Sequence, residues 1–149
     1  MASTFVKDIM KKDVITIDHT MTAKDAAKIM AQSEIGCIVI TTDKIPVGIL
    51  TERDYVRRIA ASSIEIDPLL CEVMSSPLIT INQEDSVWDA ADVMRRKKIH
   101  RLPVKDGDSL VGIVTATDIV KICSFGSDSN MREICDQILL RMQLVDDRN

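Results

Sequence analysis

Val47-Gly48-Ile49-Leu50-Thr51-Glu52-Arg53-Asp54 returns as Val111-Gly112-Ile113-Val114-Thr115-Ala116-Thr117-Asp118, an offset of 64 residues from Gly48 to Gly112. Shifting the chain on itself by that amount, without a gap, also lays Met10 on Met74, Ile15-Thr16-Ile17 on Ile79-Thr80-Ile81, and Asp25-Ala26-Ala27 on Asp89-Ala90-Ala91. Met30 falls on Met94 and Ile35 on Ile99. A fixed period of this length marks one supersecondary unit written twice, and two copies make a pseudo-symmetric pair rather than a solenoid.

Outward from that stretch, the first copy reads as β-α-β-β-α. Phe5, Val6, Ile9 and Met10 stand at helical spacing and predict a short lead-in helix, broken at Lys11-Lys12-Asp13. Val14 to Ile17 is a brief β-branched strand. From Thr22 to Ser33, the stripe Ala23, Ala26, Ala27, Met30 predicts an amphipathic helix whose small residues allow close packing. Gly36 to Ile40 is a nearly all-apolar strand, Asp43 to Pro46 a turn, Val47 to Leu50 the next strand, and a helix runs from Thr51 to Ala61.

The fold class expected is mixed α and β, with repeat 1 at residues 5–61, a linker at 62–68 and repeat 2 at 69–123. Asp67 before Pro68 disfavours helix in the linker. The second copy repeats the lead-in at Leu69 to Met74, then strand Leu78 to Ile81, helix Ser86 to Lys97, strands His100 to Val104 and Leu110 to Val114, and a helix from Thr115 to Cys123. Beyond it, Asn130 with Glu133 resembles a capping box, and an apolar stripe from Met131 to Val145 predicts an amphipathic helix over 129–146 with no counterpart in the first copy. Its apolar face covers this chain's own core, or meets a second protomer or a partner helix.

At 149 residues the two copies are expected to share one core, and 46% hydrophobic residues supply it. With aromatics at 3%, that interior is aliphatic. A formal net charge of −4 argues against sequence-independent binding to nucleic acid, which needs a basic footprint, and few aromatics leave little for base stacking. Cys37, Cys71, Cys123 and Cys135 show no metal-ligand spacing and are expected to be buried, reduced thiols, with no metal bound. No signal peptide is evident, and no run approaches the roughly 18 apolar residues of a membrane span, so a cytoplasmic location is expected.

Catalysis finds little support: no nucleophile elbow, His-Glu-x-x-His pair, P-loop or glycine-rich dinucleotide loop accompanies the two histidines, His19 and His100. The recurring Gly-x-x-Thr-x-x-Asp segments are different. In each a strand ends, a Thr opens a helix and an Asp stands one turn in, which is close to a capping box. The same helix start also presents N–H groups and positive potential to an anion, and its carboxylate can accept from the hydroxyls of a ribose. Arg95-Arg96-Lys97-Lys98 reads as a cationic helix C-terminus, whereas His100 and Arg101 open an otherwise buried strand and call for an anion such as phosphate. The first copy has Gly36 and Cys37 there, so the two sites are not equivalent.

These residues resemble the cystathionine β-synthase (CBS) domain family, in the tandem arrangement called a Bateman module. The resemblance spans about residues 5 to 123. It rests on the Ile-Met or Val-Met lead-ins, the Thr-Ile strands, the Ala-Ala-x-x-Met helices, Ile99-His100-Arg101-Leu102-Pro103-Val104 and both Gly-Ile-x-Thr-x-x-Asp segments. It implies two repeats packed about a pseudo-twofold axis with two clefts, a homodimer, and a stand-alone regulatory sensor without catalysis. The ligand implied is AMP, ADP or ATP, with S-adenosylmethionine, NAD or a dinucleoside polyphosphate as alternatives. Carried over by position, Asp54 and Asp118 take ribose hydroxyls, and Thr51 and Thr115 ribose or phosphate oxygens. Thr16, Ile17, Ile35, Thr80, Ile81 and Ile99 line the base pocket. His100 and Arg101 match the pair that contacts phosphate in the gamma subunit of AMP-activated protein kinase, and are expected to serve the Asp54 cleft, while Arg53, Thr117 and Lys121 compensate at the other. The competing reading is an interaction scaffold with empty clefts, in which Thr51, Asp54, Thr115 and Asp118 act only as caps.

Overall fold

A computed structural model describes residues 4–63, 67–125, 132, 133, 135 and 136. In chain order its elements are α1 (Val6–Ile9), β1 (Thr16–Asp18), α2 (Ala23–Gln32), β2 (Cys37–Thr42), β3 (Ile45–Thr51) and α3 (Glu52–Tyr55), which continues as a π-helical stretch, Val56–Ala60. Then come α4 (Leu70–Val73), β4 (Ile81–Asn82), α5 (Val87–Lys97), β5 (Arg101–Asp106), β6 (Ser109–Thr115) and α6 (Ala116–Phe125). The contacts divide these elements into two compact units, where chain length predicts one shared core. One unit is Val14–Ile79; the other joins residues 4–13 to residues 80 onward.

Each unit holds one three-stranded sheet, in the orders β1-β2-β3 and β4-β5-β6, with the first pair parallel and the second antiparallel. The registers repeat as the sequence does: Ile17 stands opposite Ile40 and Ile81 opposite Val104, while Cys37 faces Thr51 and Arg101 faces Thr115. Both antiparallel ladders slip at the same place, between Ile40 and Thr41 and between Val104 and Lys105. Helices α2 and α5 begin with reciprocal caps, Thr22 with Asp25 and Ser86 with Asp89, which satisfy N–H groups that a helix start leaves unpaired.

The lead-in of each repeat packs in the unit built from the other repeat. Leu70 and Val73 of α4 belong to the core of Val14–Ile79, alongside Ile17, Ala26, Ile38, Ile40 and Leu50. Ser75 exchanges backbone hydrogen bonds with Ile49 of β3 at 2.9 and 3.1 Å. In the other unit Val6 of α1 is fully buried, and Lys11 exchanges the equivalent pair with Ile113 of β6, both at 2.9 Å. Lys7 adds a 2.7 Å ion pair to Glu84. Full burial of one such aliphatic side chain stabilises the fold by about 1.5–3 kcal/mol, so the lead-ins are structural members of the units they join.

Several expected boundaries move. β1 begins at Thr16 rather than Val14, and β4 keeps only Ile81–Asn82. Pro46 lies inside β3 rather than in the turn. The helix expected from Thr51 to Ala61 is one α-helical turn followed by a π-helical stretch. The expectation of four buried, reduced thiols is corrected: Cys123 and Cys135 form a disulfide and Cys71 is exposed, while Cys37 is a buried thiol. Cysteine spacing gave no cue to a pairing that needs two Cα atoms brought to 6.1 Å. Most of the helix expected over 129–146 lies outside the described residues.

Candidate functional site

β3 and β6 each run out into a helix start at the recurring threonine. Thr51 has extended backbone (φ −108°, ψ 161°), and its hydroxyl accepts from the Asp54 N–H at 3.1 Å while Asp54 Oδ2 accepts from the Thr51 N–H at 3.2 Å. In the second repeat the Asp118 N–H donates to Thr115 Oγ1 at 3.2 Å, and Asp118 Oδ2 accepts from both the N–H and the hydroxyl of Thr115 at 2.9 Å. All four side chains are half-buried. The capping geometry is therefore present at both motifs. It commits one carboxylate oxygen, Oδ2, and leaves the role of Oδ1 to the surroundings.

Those surroundings differ. Asp54 Oδ1 lies 3.4 Å from Nη2 of Arg58, whose Nη1 donates to the Val73 carbonyl at 2.8 Å. The residue at the matching place after Asp118 is Ile122, and among the described residues no salt bridge reaches Asp118. Arg58 is not among the residues that the sequence singles out, yet it is the side chain that faces Asp54 Oδ1. Its signal was the i,i+4 spacing from Asp54 together with the loss of charge at the equivalent position.

Thr51 and Asp54 stand in one unit; Thr115 and Asp118 stand in the other, together with His100 and Arg101. There Arg101 is the cross-strand neighbour of Thr115, and the His100 carbonyl accepts from the Ala116 N–H at 2.9 Å, so the His-Arg pair flanks the Thr115 turn. Arg53 and Thr117 are exposed on the first turns of α3 and α6, and Lys121 is exposed on the second turn of α6. Among the base-pocket candidates, Thr16 is exposed and Ile35, Thr80 and Ile99 are half-buried. Ile17 and Ile81 turn into the cores, at 6% and 5% exposure, which leaves them little surface to offer a ligand. Arg95 and Arg96 both pair with Asp92, at 2.7 and 2.8 Å, and Lys98 closes α5 in the left-handed conformation. The Arg95 guanidinium, ahead of Arg96, holds the Asp92 carboxyl below its ordinary pKa.

Among the described residues no three His, Cys, Asp or Glu side chains cluster as metal ligands, and no helix is long and apolar enough to cross a membrane.

Comparison with known proteins places this geometry. The CBS domain family model matches residues 6–61 and again 70–124. An uncharacterised protein of Methanopyrus kandleri is 38% identical over 125 residues, which cover 82% of this chain and 64% of that protein. The CBS domain-containing protein YhcV of Bacillus subtilis is 36% identical over 114 residues, covering 76% of this chain and 81% of YhcV. Among solved structures, the CBS domain pair of protein MJ0100, in complex with 5′-methylthioadenosine and S-adenosyl-L-methionine, superposes with a TM-score of 0.73. It is 31% identical and covers 83% of this chain and 98% of its own. Duplicated sheets, duplicated Thr-x-x-Asp helix starts and a family match to both halves agree: the chain belongs to the CBS domain family, as a tandem pair of the kind that serves as a regulatory module.

Proposed function

We propose that this pair senses an adenosyl ligand, AMP, ADP, ATP or a relative such as S-adenosylmethionine, with Asp54 and Asp118 accepting ribose hydroxyls and Thr51 and Thr115 assisting at ribose or phosphate oxygens. The observation that carries the reading is the twice-written Thr-x-x-Asp helix start, in which the cap uses only Oδ2 and Asp118 retains a second oxygen unengaged by any salt bridge among the described residues. The adenosyl compounds bound by the solved MJ0100 pair support it. Thr16, Ile35, Thr80 and Ile99 are the surface-reaching part of the assigned base pocket. His100 and Arg101, with Arg53, Thr117 and Lys121, are assigned to phosphate. Binding acts by favouring one conformation or set of partner contacts, in a cytoplasmic homodimer without catalysis of its own; a ligand that binds two states equally transmits nothing.

The scaffold reading has one observation in its favour: the same reciprocal box caps α2 and α5, where no ligand role is assigned. Isothermal titration with AMP, ADP, ATP, NAD, a diadenosine polyphosphate and S-adenosylmethionine separates the two. The sensor reading expects saturable binding that weakens at least tenfold in Asp118→Ala or Asp54→Ala, about 1.4 kcal/mol or more. Arg101→Ala should then erase any preference for ATP over adenosine. The scaffold reading expects no heat from any of them and only the loss of a cap, about 1 kcal/mol of stability.

A further inference from the structure

The two ribose-assigned carboxylates differ in the Thr115 hydroxyl that donates to Asp118 and in the arginine that faces Asp54, and the second of these contacts reaches beyond the site. Asp54 Oδ2 is committed to the Thr51 N–H, so Oδ1 is the oxygen a ribose diol needs, and Oδ1 is the one that faces Arg58 at 3.4 Å. The same guanidinium holds the Val73 carbonyl at 2.8 Å, at the end of α4. Met74, the next residue, rests its sulfur against Gly48 of β3. With its side chain 43% exposed, Arg58 forms an ion pair that solvent screens and that an incoming donor can displace. Its hydrogen bond to the carbonyl is charge-assisted, so losing it is felt on the Val73–Met74 peptide. At the second carboxylate Ile122 stands in the place of Arg58, and among the described residues no salt bridge reaches Asp118.

We infer that Arg58 is a built-in competitor for ligand at Asp54 and a reporter of its occupancy. Ribose hydroxyls take Oδ1, the guanidinium leaves it, and its altered hold on the Val73 carbonyl carries the event into the α4 lead-in. Asp118, with no competing cation among the described residues, binds the same ribose more tightly. The inference rests on the ribose reading above, and Arg58 acts in it as a positioning residue.

The test is titration with adenosine, a probe without phosphate, in an Asp118→Ala background that isolates Asp54. Three proteins are compared: Arg58 retained, Arg58→Ile as in the second repeat, and Arg58→Gln, which removes the charge but keeps a donor for the carbonyl. Both substitutions should tighten adenosine binding by about threefold, the scale of a partly exposed ion pair. In the protein retaining Arg58, adenosine should shift the 15N resonance of the Met74 amide, which shares a peptide with the Val73 carbonyl; in Arg58→Ile that shift should largely vanish. Unchanged or weaker binding in the substituted proteins overturns the competition, and an equal Met74 shift with and without Arg58 overturns the reporting. Should Arg58→Ile fail to fold, Arg58→Gln decides by affinity alone. Adenosine that fails to bind in the Asp118→Ala background, or that binds there equally well once Asp54→Ala is added, defeats the ribose reading itself and the inference with it.

Discussion

A methyl group added at Gly48 would stand 2.5 Å from the Met74 sulfur and 3.0 Å from the Ser75 carbonyl oxygen, and one at Gly112 would stand 2.5 Å from the Met10 sulfur and 2.9 Å from the Lys11 carbonyl oxygen. A thioether can swing aside; a backbone carbonyl in a ladder cannot. Gly48→Ala and Gly112→Ala should each lower stability by about 1–3 kcal/mol, read as a lower urea midpoint at unchanged slope. Capped carboxylates contribute to the acid limb. The N–H of Thr22, then its hydroxyl, holds Asp25 below its ordinary value of 3.8, and the Thr20 hydroxyl does the same for Asp18. A carboxyl depressed in the fold contributes stability that is present above its unfolded pKa and lost as pH falls through the folded one. The urea midpoint should therefore hold from neutrality to about pH 5 and decline below about pH 4, with a shallower decline in Asp25→Asn. At this scale the Thr-x-x-Asp pairs were legible because they span a single turn. The Asp54–Arg58 pair was equally local, but its tie to Val73 joins residues 15 apart in sequence, and no local pattern encodes that.

At the scale of elements, the two long helices α2 and α5 were read closely, and the short strands and the helix after Thr51 less so. α2 and α5 carry their own start signals and a regular apolar stripe. β1 is limited by its parallel neighbour, which pairs with it only from Val39 to Thr41, so β-branched Val14 and Ile15 stay outside the ladder. Pro46 is tolerated in β3 because it sits opposite Thr41, where the register slips in an outer strand of the sheet. Both helix stops use a residue other than glycine in the left-handed region, Glu34 at φ 53° and Lys98 at φ 55°. Lys98→Gly should raise stability by about 0.5–1 kcal/mol, seen as a higher melting temperature. The Asp43-Lys44 turn places both residues at positive φ, 50° and 66°, the geometry of a tight hairpin that favours glycine second, so Lys44→Gly should stabilise in the same direction.

For the whole molecule, repeats in sequence and units in space are different partitions. Periodicity identified the repeats, but it could not say which sheet each lead-in joins, because the two sheets offer the same glycine and the same ladder positions. A fragment of residues 14–79 retains Leu70, Val73 and Met74 and should unfold cooperatively in urea by circular dichroism. A fragment of residues 5–61, cut where the sequence repeats, lacks all three and should not. The exchange of lead-ins also bears on descent. Two separate single-repeat chains trading lead-ins would make the contacts this one chain makes with itself, so a tandem duplication converts a partnership between gene products into one heritable object. Once joined, the copies cease to drift independently: Met10 answers to Gly112 and Met74 to Gly48. A change of size in either copy is thereafter a selection pressure on the other.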